Sequence, residues 1–182
     1  MGNPWHDIPL PDDENLIEFP AVIEVPKGEK NKYEIDKKTG YLRLDRVLFS
    51  AVHYPANYGF IPRTLGEDGD PLDVLVLCQE PVVPLSYMIA RAIGGFRMRD
   101  EFGIDDKIIC VHINDPAYRD YKSVEQLPPH VVTEIMNFFE VYKKLEGKDV
   151  TVGKRLSKDE SLAVVRASVS RYRSQFVSPG TA

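Results

Sequence analysis

Three carboxylates fall within six residues in the stretch Asp68-Gly-Asp70-Pro-Leu-Asp73, and an apolar run at residues 74–77 follows directly. In an extended segment Asp68 and Asp70 point to the same side, and the proline that follows bends the chain so that Asp73 can turn toward them. Three like charges in one place repel unless a cation neutralises them, and an all-oxygen ligand set suits a hard ion such as Mg2+ or Mn2+ better than zinc. The spacing therefore indicates a divalent-metal site.

Ordinary turn formation is the alternative explanation of these residues, since turns prefer Asp, Gly and Pro. A calcium loop fits less well, because it needs an acidic or amide residue at its fifth position, Gly at its sixth and Glu at its twelfth. Those positions hold Leu72, Asp73 and Gln79. The stretch by itself leaves a metal site and a plain turn both open.

A second acidic cluster, at residues 100–106, also precedes an apolar run, at residues 108–113. Cations and tyrosines interleave with the two clusters along the chain. Phosphoryl chemistry uses such a mixture, because carboxylates hold divalent ions, cations neutralise phosphate oxygens, and a free carboxylate accepts a proton from the attacking water. The candidates for such a site are Asp68, Asp70, Asp73, Asp100, Asp105, Lys32, Arg46, Lys107 and Lys143.

Arg46 falls in phase with leucines, since Leu42, Leu44 and Leu48 occupy alternate positions of the same predicted strand. This register predicts that the guanidinium points toward the core, where it needs a carboxylate partner or a bound anion. The pattern favours neither the carboxylate partner nor the bound anion over the other.

The composition predicts one domain with a sizeable core, since 43% of the 182 residues are hydrophobic. A net charge of -5 with scattered Lys and Arg argues against duplex nucleic acid and anionic membranes as partners. Cys78 and Cys110 lie in or beside apolar runs, which favours buried thiols in a reducing compartment but leaves a disulfide open. No signal peptide or membrane span is evident, so we expect a cytoplasmic protein.

The hydrophobic patterns predict an α+β fold in which a curled or closed antiparallel sheet carries helices on its outside. Residues 1–20 are rich in proline and predict an extended N-terminal arm that docks through Trp5, Leu16, Ile17 and Phe19. Helices are expected from Pro129 and from the capping box at Ser157, and residues 53–62 are expected to form a tight loop. Strands are expected at residues 21–25, 32–36, 41–48, 74–77, 87–98, 108–113 and 148–153.

Four blocks of this sequence together resemble the soluble family I inorganic pyrophosphatases. They are Lys32-Tyr-Glu-Ile-Asp36, Tyr54-Pro-Ala-Asn-Tyr-Gly59, Asp68-Gly-Asp-Pro-Leu-Asp-Val-Leu75 and Phe138-Phe-Glu-Val-Tyr-Lys143. The resemblance covers residues 20–176 and keeps the order and spacing of the blocks. It implies a single domain over residues 1–182, an OB-like, five-stranded closed antiparallel β-barrel with two C-terminal α-helices packed outside, and a site in the mouth of the barrel.

The resemblance also implies an activity. A member of this family hydrolyses pyrophosphate to two orthophosphates with several Mg2+ ions, for which Mn2+ is a possible substitute. A metal-bound water or hydroxide attacks in line, without a covalent intermediate. Prokaryotic members of similar length are commonly homohexamers, so a homo-oligomer is expected.

Residue roles follow from the resemblance position by position. Asp70 would be the general base. Asp68, Asp73 and Asp105 would hold the metal pair that binds the nucleophilic water, and Asp100 would help to bind further Mg2+. The substrate-binding positions are Lys32, Arg46, Tyr58, Lys107, Tyr142 and Lys143, and the supporting positions are Glu24, Glu34 and Tyr54.

Two other functions compete with this interpretation. An OB-like binding module would stack single-stranded bases on Tyr54, Tyr58 and Phe60, but a mouth lined by carboxylates would repel the phosphate backbone unless metals intervened. A metal-dependent phosphatase acting on nucleotides or other phosphoesters differs only in its substrate. Comparison of substrates separates the two enzymes.

Overall fold

Over residues 2–101 and 103–177, the part that the computed structural model describes, the chain forms nine strands, three α-helices and two 3-10 helices. The strands are β1 (Glu18–Val25), β2 (Asn31–Ile35), β3 (Leu42–Val47), β4 (Asn57–Phe60), β5 (Asp73–Leu77), β6 (Tyr87–Asp100), β7 (Gly103–Ile104), β8 (Lys107–His112) and β9 (Thr151–Leu156). The α-helices are α1 (Pro4–Asp7), α2 (Pro129–Val141) and α3 (Lys158–Phe176), and the 3-10 helices are Val124–Gln126 and Lys144–Glu146.

Five strands pair in a ring, in the order β1, β4, β5, β8, β6 and back to β1. Four of these pairings are antiparallel, but β5 and β8 run parallel. The prediction of a wholly antiparallel sheet is therefore wrong at this pair. Strand directions can alternate all the way round a closed ring only if the number of strands is even, so a ring of five needs a parallel pair, and here it falls between β5 and β8.

The long strand β6 joins both halves of the sheet. It pairs with β1 and β8 along its first part and with β7 and β9 along its second part. The register shifts between Ala92 and Gly94, which places a β-bulge in β6 beside the Gly94-Gly95 pair. A Cβ atom at Gly95 would lie 2.4 Å from the carbonyl oxygen of Lys107, so glycine permits this close approach of β6 to β8.

The two longer helices cover different clusters of the core. Alternate residues of β5 separate them: Leu75 and Leu77 pack in the cluster that includes α2, while Val74 and Val76 pack in the cluster that includes α3. The predicted capping box opens α3, because the Ser157 hydroxyl accepts the Glu160 N–H and the Glu160 carboxylate accepts the Ser157 N–H.

The N-terminal arm is docked, as expected, but it is not extended throughout. Residues Pro4–Asp7 form the short helix α1, which tolerates proline because Pro4 occupies its first turn. Trp5, Leu16 and Phe19 are buried, and strand β1 already begins at Glu18.

Two other expectations of secondary structure are wrong. Part of the predicted loop at residues 53–62 is the buried strand β4, which the run of turn-forming residues around it had hidden. Strand β9 begins three residues later than expected, at Thr151.

Cys78 and Cys110 are both free thiols.

Strands β2 and β3 form a separate two-stranded ribbon rather than part of the ring. Leu44 on this ribbon is 52% exposed, so the expectation that its phase faces the core is wrong. The alternation of residues along a strand fixes which side chains share a face, but it does not show what covers that face.

No helix within residues 2–101 and 103–177 combines the length and apolar character needed to cross a membrane.

We expect Gly59→Ala to destabilise the protein by about 3 kcal/mol or more, because a Cβ atom there would overlap backbone that cannot move aside. The new atom would lie 1.8 Å from the Val22 carbonyl oxygen across the β1–β4 pair. Gly153→Ala, on an exposed stretch of β9 where the nearest atom is 3.4 Å away, is the matched control and should shift stability little. Urea unfolding curves measure both, and equal stabilities of the two variants would contradict this packing.

Candidate active site

One cavity of about 630 Å³ opens where β5, β8 and the ribbon face the end of α2. Its lining includes every site residue proposed from the sequence except Tyr54. Those residues are Glu24, Lys32, Glu34, Arg46, Tyr58, Asp68, Asp70, Asp73, Asp100, Asp105, Lys107, Tyr142 and Lys143. Tyr54 is buried behind them, with its ring centroid 5.2 Å from that of Tyr58.

Lys107 lies at the centre of the acidic wall. Its ammonium nitrogen contacts the carboxylates of Asp105, at 2.5 Å, and Asp73. The parallel pairing of β5 and β8 places Asp73 and Lys107 side by side, since they are register partners at the start of the two strands. The hydroxyl of Tyr58, on the neighbouring strand β4, donates a hydrogen bond of 2.7 Å to the Asp73 carboxylate. The strand register thus builds this part of the site.

One ammonium group does not balance the acids around it. Burial alone would lower the pKa of Lys107, but the carboxylates of Asp105 and Asp73 outweigh it and raise that pKa, so the side chain stays charged. Burial, together with repulsion from Asp73 and Asp68, raises the pKa of Asp105 to about 6. Burial and repulsion from Asp73 also raise the pKa of Asp68. The acidic wall therefore keeps an excess of negative charge.

A second pair of opposite charges lies at the end of α2. Lys143 donates to Asp100 at 2.8 Å, and both side chains are nearly buried. Tyr142, the preceding residue, is buried, and burial raises its pKa above the ordinary value. Because α2 ends at Val141, the chain turns there and presents Tyr142 and Lys143 to the cavity.

The ribbon forms the opposite wall and carries cations. Lys32 lies 3.0 Å from Glu34 and 3.3 Å from Asp45, while Arg46 lies 2.5 Å from Asp45 and 3.0 Å from Glu146. The Arg46 guanidinium therefore has carboxylate partners. Its Nη2 atom, however, is buried with no hydrogen-bond partner within the described part of the chain.

Asp45 and Lys37 also line the cavity, and Glu146 pairs with Arg46 beside it, but none of the three was predicted from the sequence. Asp45 stands next to Arg46, and that adjacency was an available signal. Glu146 lies 100 positions from Arg46, and no local pattern links the two. Lys37 pairs with Asp70 across 33 positions, at the rim, where the Asp70 side chain is 52% exposed.

Glu24 reaches the cavity from β1. It is buried, and its carboxylate accepts the Ile35 N–H at 2.6 Å, which links the ring to the ribbon. Burial, with a smaller contribution from Asp73, raises the pKa of Glu24 to about 8. This carboxyl is therefore mostly protonated at pH 7.

The donor set fits divalent cations. Asp73 and Asp105 share the ammonium group of Lys107, Asp68 lines the same cavity, and all three offer oxygen ligands, which hard ions prefer. Within residues 2–101 and 103–177, no three acidic, His or Cys side chains are already close enough together to form a metal site. The acids instead contact Lys107, Lys143 and Lys37.

A cavity with carboxylates on one wall and Lys and Arg on the other is typical of an enzyme that acts on a phosphate-containing substrate with divalent ions. Comparisons with known proteins agree with this class. The family model described as inorganic pyrophosphatase matches residues 21–173. The chain belongs to the inorganic pyrophosphatase family.

Individual relatives cover nearly the whole chain. A soluble inorganic pyrophosphatase 2 of Chlamydomonas reinhardtii is 51% identical over 97% of this chain and 91% of its own. One from Solanum tuberosum is 52% identical over 94% of this chain and 81% of its own. The crystal structure of the inorganic pyrophosphatase from Thermus thermophilus has a TM-score of 0.89 and 42% identity, covering 94% of this chain and 99% of that one.

Stability should fall between about pH 5 and pH 8 in the absence of divalent ions, because Glu24 keeps its proton in the folded protein. Its pKa rises from 4.5 to about 8 on folding, so the folded state binds the extra proton in this range and loses that advantage as the pH rises. Glu24→Gln keeps an acceptor for the Ile35 N–H and should flatten the pH dependence.

Urea unfolding in a chelator at several pH values measures this effect, with Glu14→Gln at an exposed position as the control. Equal pH slopes for wild type and Glu24→Gln would show that the proton is not held there.

Proposed function

We propose that this protein hydrolyses inorganic pyrophosphate to two orthophosphates in a reaction that depends on Mg2+. The single observation that carries the proposal is the cavity of a pyrophosphatase-family member, in which an acidic wall around Lys107 faces a ribbon of cations. Pyrophosphate with bound Mg2+ is complementary to both walls, since its oxygens are anionic and its ions are cationic.

Asp68, Asp73 and Asp105 would hold the ions next to the attacking water, and Asp100 would help to hold further ions. When bound, Mg2+ lowers the pKa of coordinated water and neutralises phosphate oxygens. The raised pKa values of Asp68 and Asp105 support this assignment, because carboxylates that are buried and repel one another gain most from added cations.

The cationic and phenolic side chains would bind the two phosphoryl groups. The unpaired Nη2 atom of Arg46 supports a role in anion binding, since a buried N–H donor without a partner is costly and a phosphate oxygen would satisfy it. This assignment does not exclude the ion pairs of Arg46 with Asp45 and Glu146. The proposed substrate-binding set is Lys32, Arg46, Tyr58, Lys107, Tyr142 and Lys143, with Glu24, Glu34 and Tyr54 in support.

Asp70 would act as the general base. In the reaction a water oxygen forms a bond to one phosphorus, the bond from that phosphorus to the bridging oxygen breaks, and Asp70 takes a proton from the water. Asp70 lies at the rim of the cavity, next to the acids of the metal set, and its backbone N–H bonds to Asp68 at 3.0 Å. Orthophosphate leaves from both sides of the broken bond.

Several broader properties are part of the proposal. We assign residues 1–182 to one domain and its closed ring of strands to the OB-like barrels. The ring pairing supports this fold assignment. Mn2+ would be a possible substitute for Mg2+. A cytoplasmic homo-oligomer, most simply a hexamer, is the expected form.

Phosphate release tests the proposal directly. Purified protein would be given pyrophosphate, ATP or a phosphomonoester, each with and without Mg2+. Release from pyrophosphate alone, and only with the metal, is the expected result. Comparable release of phosphate from ATP or a phosphomonoester would contradict the proposal and indicate a phosphatase with a broader range of substrates.

Asp70→Asn should lower kcat by about 10²- to 10⁴-fold, because asparagine keeps the shape of aspartate but does not accept the proton. The side chain is half exposed, so folding should be unaffected. Steady-state kinetics across neutral pH measure the loss, and Asp120→Asn at an exposed position is the matched control. If turnover stayed near that of the wild type, another group would have to be the general base.

Arg46→Lys should lower kcat/KM for pyrophosphate, because lysine keeps the charge but loses the planar fork of donors. The decrease should correspond to a loss of about 1–3 kcal/mol in transition-state stabilisation. The melting temperature without substrate should change little, since lysine can still pair with Asp45 or Glu146. Kinetics and thermal unfolding are measured on the same preparation. A destabilised but fully active variant would make Arg46 a purely structural residue.

A further inference from the structure

The N-terminal segment, residues 2–7, contacts two of the structural elements that carry the proposed site, yet none of its residues lines the cavity. One element is the loop at residues 61–72, which leads into the acidic stretch. The other is the turn of the ribbon at residues 36–41. Because this segment contacts both elements on the side away from the cavity, it can fix the distance between the two cavity walls.

Trp5 holds the loop at its base. Its side chain is 4% exposed, and its indole N–H donates to the Thr64 carbonyl oxygen at 2.8 Å. The Thr64 hydroxyl in turn accepts the Leu72 N–H at 2.9 Å, and the Ile61 N–H donates to the Leu72 carbonyl at the same distance. These bonds close the loop that carries Asp68 and Asp70.

Asn3 holds the ribbon. Its side-chain oxygen caps α1 by accepting the Trp5 N–H at 3.0 Å, while its side-chain nitrogen donates to the Lys37 carbonyl oxygen at 2.9 Å. The chain also passes close to Gly40, where a Cβ atom would lie 2.8 Å from the Gly2 carbonyl oxygen. Asn3 therefore connects α1 directly to the turn between β2 and β3.

The ribbon depends on anchors outside its own strand pair, and the bond from Asn3 adds to the one between Glu24 and Ile35. It is a two-stranded sheet of its own, and an isolated pair of strands is marginally stable in water. Val47 is 50% exposed, so little packing fixes the ribbon on that side. The ribbon nevertheless carries Lys32 and Arg46 for the substrate, and its Lys37 contacts Asp70.

We propose that Trp5 and Asn3 are positioning residues of the pyrophosphatase reaction: Trp5 acts through Thr64 on the acidic loop, and Asn3 acts through Lys37 on the cationic ribbon. This inference rests on the proposed function. It assigns the N-terminal segment a role in the geometry of the site, beyond its contribution to the core. The two residues act on different walls, so their effects on kinetics should differ.

Two substitutions remove one bond each. Trp5→Phe keeps an aromatic ring but loses the bond to Thr64, and we expect kcat to fall about 10- to 100-fold with little change in KM. Asn3→Asp keeps the helix cap but loses the donor to Lys37, and we expect KM for pyrophosphate to rise about 5- to 10-fold. Asn3 is half exposed, so this variant tests the proposal even if Trp5→Phe fails to fold.

Tyr172→Phe is the matched control. Tyr172 lies on α3 and packs in the same aromatic cluster as Trp5, and the substitution removes the bond of 2.7 Å between its hydroxyl and His6. It should lower the melting temperature while kcat and KM stay at wild-type values. Kinetics are measured at a temperature at which circular dichroism shows every variant folded.

A binding measurement separates this inference from the proposed function. Calorimetric titration with methylenediphosphonate and Mg2+ needs no hydrolysis, and Asn3→Asp should raise its Kd about 5- to 10-fold. A wild type that binds this analogue but releases no phosphate from pyrophosphate would contradict the proposed function, while the Kd of Asn3→Asp would still test the ribbon anchor. Wild-type kcat, KM and Kd in the folded variants, with only a lower melting temperature, would overturn the inference.

Discussion

A buried ammonium group shared by two carboxylates is the interaction on which the rest of this structure depends. The Lys107 side chain is 2% exposed and contacts both Asp73 and Asp105. Removing such charges from water is unfavourable by several kcal/mol per ion unless they are paired in good geometry. The parallel pairing of β5 with β8 and the close approach of Gly95 hold that geometry in place. The ring of strands therefore positions the charged groups of Lys107, Asp73 and Asp105 relative to one another.

That arrangement is incomplete by itself. The ammonium group of Lys107 contacts two of the three acids of this wall, and burial together with repulsion still raises the pKa values of Asp105 and Asp68. The opposite wall, on the ribbon, carries cations such as Lys32 and Arg46. Metal ions on one wall and a polyanion on the other would complete the balance, which is why a metal-dependent reaction of pyrophosphate fits this cavity.

All but one of the site residues proposed from the sequence line one cavity, whereas less of the architecture around it was predicted. Short blocks of acids and cations fall at strand ends, so their chemistry can be recognised before the fold is known. The position of the parallel pair, between β5 and β8, could not be predicted, because it depends on the order of the strands in the ring. The exposed face of the ribbon at Leu44 and the partner of Arg46 at Glu146 depend on contacts between distant segments, which local periodicity does not contain.

Thermal unfolding of wild type and Asp105→Asn, with and without MgCl2, tests the central claim that the acidic wall holds uncompensated charge. At pH 7.5 without Mg2+, Asp105→Asn should be more stable than wild type, because it removes a carboxylate whose pKa is raised to about 6. With MgCl2, at matched ionic strength, wild type should gain more stability and the order should reverse. A variant that is less stable without Mg2+, and that gains as much from Mg2+ as wild type does, would contradict the account.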